Sequence, residues 1–159
     1  MKATGVGSNA PQIRLARAGD AAGLTRLFER AYGKYVERIG KKPAPMTADY
    51  AAIVAAGDVW VLDSEGVVVG AVVLHGADDH LLLSNVAVSP ERQGEGLGAR
   101  LLAFAQDEAR RRGLGEMRLY TNAQMHENLA IYAHLGWTRY AEGDQDGFHR
   151  IFMRKPVGA

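Results

Sequence analysis

The spacing of apolar residues divides the chain into short helices and strands. From residue 20 onward, apolar side chains recur every three or four positions, which predicts an amphipathic helix that Asp20 caps; its buried stripe is Leu24, Leu27, Phe28, Ala31, Tyr32 and Tyr35. Alternating residues 12–17 predict a short strand before this helix. After the Gly- and Pro-containing run GKKPAP, Thr47 is the predicted cap of a second helix that reaches residue 56 and ends at Gly57.

The middle of the chain has the pattern of an antiparallel meander. Runs rich in β-branched residues at 59–62 and 67–74 flank a turn and predict a hairpin, and residues 81–88 predict a third strand after a turn at 76–79. A helix follows, with Leu97, Leu101, Ala105 and Ala109 on one face, and then a strand at 117–121. A strand-helix-strand unit of this length favours a parallel pair, so strands 81–88 and 117–121 should be neighbours with their carboxyl ends side by side.

The end of the chain completes an α+β fold with a mixed sheet. Residues 125–135 predict a helix that stops at Gly136, and strands at 137–142 and 148–155 flank a predicted turn at 143–147. The predicted fold class is therefore mixed α/β, with a mostly antiparallel sheet, one parallel strand pair and flanking helices.

The stretch VAVSPERQGEGLGA, residues 86–99, combines a strand, a glycine-rich loop and the start of a helix. Free amides and the dipole at a helix N-terminus favour an anion there, and Gly94, Gly96 and Gly98 allow a ligand to approach the backbone closely. A Walker A loop is excluded because Ala99 and Arg100 stand where Lys and Ser/Thr are required, and the alternating glycines do not fit a dinucleotide fingerprint. A phosphate site and a plain glycine-rich turn both remain open.

Composition narrows the functional classes. The 159 residues suit one domain, which we place at residues 11–159 after a loose tail at 1–10. The absence of cysteine excludes disulfides and thiolate catalysis and favours a cytoplasmic location. A net charge of +1 argues against nucleic-acid binding, and no apolar run suggests a membrane span or signal peptide. None of the five histidines has metal-ligand spacing with a carboxylate, so we expect no metal site.

Two segments together resemble a known family. Asn85-Val86-Ala87-Val88, followed by Gln93-Gly94-Glu95-Gly96-Leu97-Gly98, resembles motif A of the GNAT N-acetyltransferase superfamily. Residues 125–137, MHENLAIYAHLGW, resemble motif B, in which an Asn precedes a Tyr and then Leu-Gly-aromatic. The resemblance covers about residues 12–155 and implies a GNAT-like fold whose parallel strands splay apart.

The resemblance implies transfer of an acetyl group from acetyl-CoA to an amine, without a metal. The cofactor arm would pair with the strand at residues 86–88 and the diphosphate would lie on the amides of residues 93–99. The implied cofactor-binding residues are Val86, Ala87, Val88, Arg92, Gln93, Gly94, Glu95, Gly96, Leu97, Gly98, Ala99, Asn122 and Asn128.

The same resemblance implies catalytic roles. Tyr132 would be the general acid for the leaving thiolate, and the backbone N–H of Val86 would stabilise the oxyanion. The carboxylate that many members carry on the preceding strand is missing from LLLSN, so Glu37 is our candidate base, directly or through water. The candidate acceptor pocket comprises Tyr32, Tyr35, Glu37, Met46 and Tyr50.

Several alternatives stay open at this point. The acceptor is either a small amine or amino-acid-like compound, or the N-terminus or a lysine of a protein. The missing strand carboxylate also allows a CoA-binding sensor without catalysis, and a mononucleotide-binding domain is a third hypothesis. A homodimer through the exposed edges of the terminal strands is a further expectation.

Overall fold

The protein, described by a computed structural model over residues 10–158, is built around one seven-stranded sheet. The predicted tail at residues 1–10 lies outside the described residues except for Ala10. The strands are β1 (Gln12–Leu15), β2 (Val59–Ser64), β3 (Val67–Gly76), β4 (Leu81–Val88), β5 (Glu116–Asn122), β6 (Thr138–Gln145) and β7 (Phe148–Pro156). The helices are α1 (Ala21–Tyr32), α2 (Val36–Ile39), α3 (Tyr50–Ala55), α4 (Leu97–Arg111) and α5 (His126–His134).

The strand order in the sheet is β1-β2-β3-β4-β5-β7-β6. Only β4 and β5 are parallel, and the other neighbouring strands are antiparallel. The predicted α+β class, the mixed sheet and its parallel pair are thereby confirmed. β1 and β6 form the edges of the sheet, and dimerisation through such edges stays a prediction.

Two apolar clusters hold the layers together, one on each side of the sheet. The first packs α4 and the Tyr132–Trp137 region against the sheet, with Leu101, Leu81 and Leu74 fully buried. The second packs α1 and α3 against the sheet around Leu24 and Phe28. The helix periodicity is confirmed, because the predicted stripes of α1 and α4 lie in these clusters.

Several local predictions are wrong. The predicted first helix breaks after Tyr32 into a 3-10 turn, Gly33–Tyr35, and then α2. Thr47 does not cap α3: the Thr47 hydroxyl donates to Ala44 O, whereas the Asp49 carboxylate accepts from Ala52 N at 3.1 Å. The Asp20 side chain accepts from Arg17 N at 2.7 Å, so it closes the turn before α1.

The β6–β7 connection is also shorter than the predicted turn at 143–147. The strands continue to Gln145 and resume at Phe148, which leaves Asp146 and Gly147 as a two-residue turn. Both have positive φ, 55° and 81°, as expected for the tight turns whose twist matches that of a hairpin. The hairpin therefore carries Asp146 to the end of the sheet near β5.

Candidate active site

The site is organised around the point where β4 and β5 separate. These strands pair only at Leu81–Leu83 with Met117–Leu119, so their carboxyl ends diverge and do not lie side by side as predicted from the strand-helix-strand pattern alone. The β3–β4 register shifts here too, because Val73 pairs with Asn85 and Leu74 with Leu83, which leaves Ser84 as the extra residue of a bulge. A bulge bends its strand and increases local twist, which accounts for the separation.

The separation exposes a strip of β4 backbone. Ser89 N donates to Val69 O at 2.8 Å. The backbone groups of successive residues in a strand point to opposite sides, so those of Ser89 and Ala87 face β3, whereas those of Val88 and Val86 face the gap. Side chains take both carbonyls: the Tyr32 hydroxyl donates to Val86 O at 3.0 Å and the Gln93 amide to Val88 O at 3.4 Å. The two N–H groups remain directed into the gap.

The glycine loop leads into the N-terminus of α4. Gly94 and Gly96 have φ of 89° and 79°, whereas Gly98 does not have positive φ. The first helical bond runs from Arg100 N to Gly96 O, so the N–H groups of residues 97–99 precede the intrahelical ladder. Unpaired amides at the start of a fifteen-residue helix suit a phosphate group.

A cleft of about 490 Å³ connects this loop to the exposed β4 edge. The predicted residues that line it are Val86, Ala87, Val88, Arg92, Gln93, Gly94, Gly96, Leu97, Gly98, Ala99 and Asn128. Glu95 does not line the cleft, and its carboxylate accepts from Arg92 Nε at 2.9 Å. Lys34, which was not predicted from the sequence, adds a second cation beside Arg92 to the lining.

A second cavity, of about 250 Å³, lies beyond the gap. It shares Tyr32, Val86, Asn128 and Tyr132 with the cleft, so the two cavities meet at these side chains. The opposite walls come from residues 43–45, from β5 and from the β6–β7 turn. The arrangement suits a long ligand in the cleft and a small molecule in the cavity.

Tyr132 lies at this junction. It is 7% exposed, and its ring packs edge-on against Trp137 at 5.9 Å between ring centroids. Burial, together with the nearby Tyr35, raises the pKa of Tyr132 above its usual value of 10, so the hydroxyl stays protonated at neutral pH. A buried, protonated phenol is suited to donating a proton.

The structure separates the predicted acceptor residues. Tyr32 lines both cavities and Tyr35 lines the cleft, but Glu37 is exposed and, like Met46 and Tyr50, lines neither. Tyr50 stacks on Phe28 at 4.8 Å in the core. Asn122 lines the smaller cavity, and its Oδ1 accepts from Gln124 N at 2.9 Å in a local turn.

The charged residues of the smaller cavity are Asp146 and Arg150, and neither was predicted from the sequence. In the cleft, Glu127 is bonded to Arg38, which lowers the Glu127 pKa to about 2 and makes it a weak base. The one signal in the sequence for Arg150 was its position two residues from both Phe148 and Phe152, which puts a charge on an aromatic face of the predicted strand.

Two other features are absent from residues 10–158. No group of three or more histidine, cysteine, aspartate or glutamate side chains is arranged to hold a metal ion there. None of the helices described is both long enough and apolar enough to cross a membrane.

Comparisons with known proteins agree with this geometry. Over 82 residues the chain is 34% identical to the uncharacterized N-acetyltransferase YjgM of Escherichia coli, a match that spans 49% of each chain, about half of the relative's length. A Salmonella typhimurium structure, yncA with its cofactor acetyl-CoA, superposes with TM-score 0.69 and 27% identity over 94% of this chain and 95% of that one. The PaiA N-acetyltransferase of Thermoplasma acidophilum, solved with coenzyme A, has TM-score 0.77 and 18% identity over 92% and 99%.

A match to a family model covers most of the chain and identifies its family. The acetyltransferase (GNAT) family matches residues 22–137, from α1 through the glycine loop to the end of the second motif. This range includes both strands that separate. It also includes all four residues that the two cavities share: Tyr32, Val86, Asn128 and Tyr132. The chain belongs to the acetyltransferase (GNAT) family.

Proposed function

We propose that this chain transfers the acetyl group of acetyl-CoA to the amine of a small molecule. The observation that carries the proposal is the meeting of an elongated cleft and a compact cavity at Tyr32, Val86, Asn128 and Tyr132. A cavity of about 250 Å³ favours a compact acceptor over an extended peptide segment. Family membership supports the chemistry, and the cavity supports the class of acceptor.

The cleft fits CoA through backbone groups more than through side chains. The N–H groups of residues 97–99 and the cations Lys34 and Arg92 suit a diphosphate without a metal. The exposed N–H groups of Val86 and Val88 suit an arm that carries amides, as in the addition of a strand to a sheet edge. When bound, acetyl-CoA supplies an acetyl thioester.

The roles we propose for the chain's own groups follow from the junction. The N–H of Val86 donates to the thioester carbonyl oxygen and stabilises its developing negative charge. The Tyr132 hydroxyl, whose pKa is raised by burial, holds its proton until the thiolate leaves. Glu37 lines neither cavity, so we propose that water carries the amine proton to solvent at the cavity mouth, where Asp146 lies.

A panel of amines tests the proposal. Purified protein is incubated with acetyl-CoA and small amines, amino acids, polyamines and free-N-terminal peptides, with thiol release and mass spectrometry as readouts. Acetylation of small amines well above peptides is expected. Acetyl-CoA binding without transfer to any amine would indicate a CoA-binding sensor, and preferential acetylation of peptides would indicate a protein acetyltransferase.

The Tyr132→Phe variant tests the proposed acid. We expect kcat to fall about 100-fold, the usual scale for general acid catalysis, with the acetyl-CoA-induced rise in Tm retained. Tyr140→Phe is the matched control, because Tyr140 is 40% exposed on β6 and lines neither cavity. A Tyr132→Phe enzyme with the kcat of the wild type would contradict the assignment.

A further inference from the structure

The smaller cavity contains a buried guanidinium that the proposed chemistry does not use. Arg150 lies on β7 opposite Asn122 of β5, and its side chain is only 7% exposed. Such burial is unusual for arginine, because removing the charge from water costs free energy unless partners replace the water. The groups around Arg150 therefore show which of its N–H donors have partners.

The protein's own contacts satisfy Arg150 only in part. Its guanidinium lies 4.4 Å from the centre of the Tyr120 ring and 5.6 Å from that of Phe148. Its hydrogen bonds within residues 10–158 both use Nη1: one reaches the neutral Gln145 Oε1 at 2.8 Å, and a longer one reaches Asp146 Oδ2 at 3.4 Å. Asp146 is 77% exposed, so water screens that ion pair strongly.

The remaining donors suit a carboxylate. Arginine offers five N–H donors in a planar fork that matches a carboxylate with two parallel hydrogen bonds, and Nε and Nη2 make no bond to the described protein. The other residues that line the cavity, apart from Asp146 at its exposed turn, carry no charge. An anionic ligand would thus complete the coordination of Arg150.

We propose that the acceptor is an amine that also carries a carboxylate, held by Arg150. This inference rests on the proposed acetyl transfer and narrows its substrate class. The carboxylate lies at the Arg150 wall between Tyr120 and Phe148, which leaves the amine free to reach the junction at Val86 and Tyr132. The same guanidinium repels polyamines, so the cavity discriminates by charge as well as by size.

The test compares matched acceptors. Each L-amino acid in the panel is assayed beside its amide and beside the amine that lacks the carboxylate, with saturating acetyl-CoA. We expect the wild type to favour the carboxylated member in kcat/KM by about 10- to 100-fold, the scale of a hydrogen bond to a charged group. Equal rates within each set would overturn the inference while leaving acetyl transfer intact.

Variants assign the selectivity to Arg150. In Arg150→Gln the preference for the carboxylated member should fall about 10- to 100-fold, mainly through KM, and Arg150→Lys should recover part of it. Arg154→Gln is the control, because Arg154 is exposed on the same strand and lines neither cavity. Circular dichroism and the acetyl-CoA-induced rise in Tm show whether each variant folds. A loss of rate by Arg150→Gln that is equal for all members of a set would overturn the inference.

A binding measurement separates this inference from the proposed function. Calorimetric titration of the CoA-loaded protein with the same amino acids and amides needs no turnover. Carboxylate-dependent binding that Arg150→Gln weakens, without acetylation of any amine, would support the site and refute the transfer. Absence of carboxylate-dependent binding would overturn the site whether or not amines are acetylated.

Discussion

The hydroxyl of Tyr32 allows two effects to be measured separately: the stability of the fold, and the position of the Val86 N–H that we propose stabilises the oxyanion. Tyr32 is 9% exposed on α1 and donates to Val86 O at 3.0 Å across 54 positions of sequence. Tyr50 offers a matched comparison, because it is also buried and donates to a backbone carbonyl, that of Pro45. Only the first of these bonds reaches β4.

Removal of either hydroxyl should cost similar stability. Tyr32→Phe and Tyr50→Phe each lose one hydrogen bond to a backbone carbonyl, worth about 1 kcal/mol net. For a chain of this size that corresponds to a fall in Tm of about 2–4 °C, measurable by circular dichroism. Both variants should therefore melt slightly earlier than the wild type and still bind acetyl-CoA.

Their kinetics should differ. Tyr32→Phe frees the Val86 carbonyl from α1. The N–H of the same residue, proposed to face the thioester, then loses part of its fixed position, so kcat should fall about tenfold, less than the roughly 100-fold loss expected for a 1 Å displacement. Tyr50→Phe loosens the loop at Pro45, which lines the smaller cavity, so the KM of the acceptor should rise with kcat retained. If Tyr32→Phe lost the expected stability but kept the kcat of the wild type, the anchoring of Val86 would have no part in catalysis.

Three further predictions concern α4. Burial would raise the pKa of Glu108, but bonds from neighbouring arginines, including Arg112 at 2.8 Å, outweigh it and lower the pKa. The stability that ionised Glu108 gains from these bonds is fully present above its unfolded-state pKa of about 4.3 and is lost as the pH falls through its folded-state pKa. The Tm difference between the wild type and Glu108→Gln should therefore shrink below about pH 4. Gly96→Ala, at φ 79°, should cost about 1–2 kcal/mol by thermal melting and weaken acetyl-CoA binding, whereas Gly98→Ala, without positive φ, should not strain the backbone. Leu101→Ala, at a fully buried position, should lower the free energy of unfolding in urea by about 2–5 kcal/mol, and a loss below 1 kcal/mol would contradict its place in the core.

Local patterns in the sequence were sufficient for most of the fold. The stripe that contains Leu97 and Leu101 repeats every three or four residues, so it identifies the buried face of α4 without knowledge of its partners. Helix caps are less well determined, since Thr47 and Asp49 are both acceptable caps and only the local backbone selects Asp49.

Contacts distant in sequence decided the rest of the site. Arg150 reaches the cavity because β7 pairs with β5, and the two-residue turn then positions Asp146 beside it. No local pattern encodes that register. Glu37 lies outside both cavities for a local reason: its helix follows the 3-10 turn, Gly33–Tyr35, and its side chain is exposed.

The short β4–β5 pairing divides the sheet into two halves. Three residue pairs connect β1–β4 with β5–β7, so the backbone hydrogen bonds across this seam are few. We expect native-state hydrogen exchange to show the halves as separate cooperative units when the cleft is empty. A ligand that bonds to β4 supplies contacts on the open side of the seam and, at a concentration of 100 Kd, adds about 2.7 kcal/mol to global stability. The amides of Val86 and Val88 should then exchange more slowly in the loaded protein than in the empty one, which makes them reporters of occupancy that need no turnover.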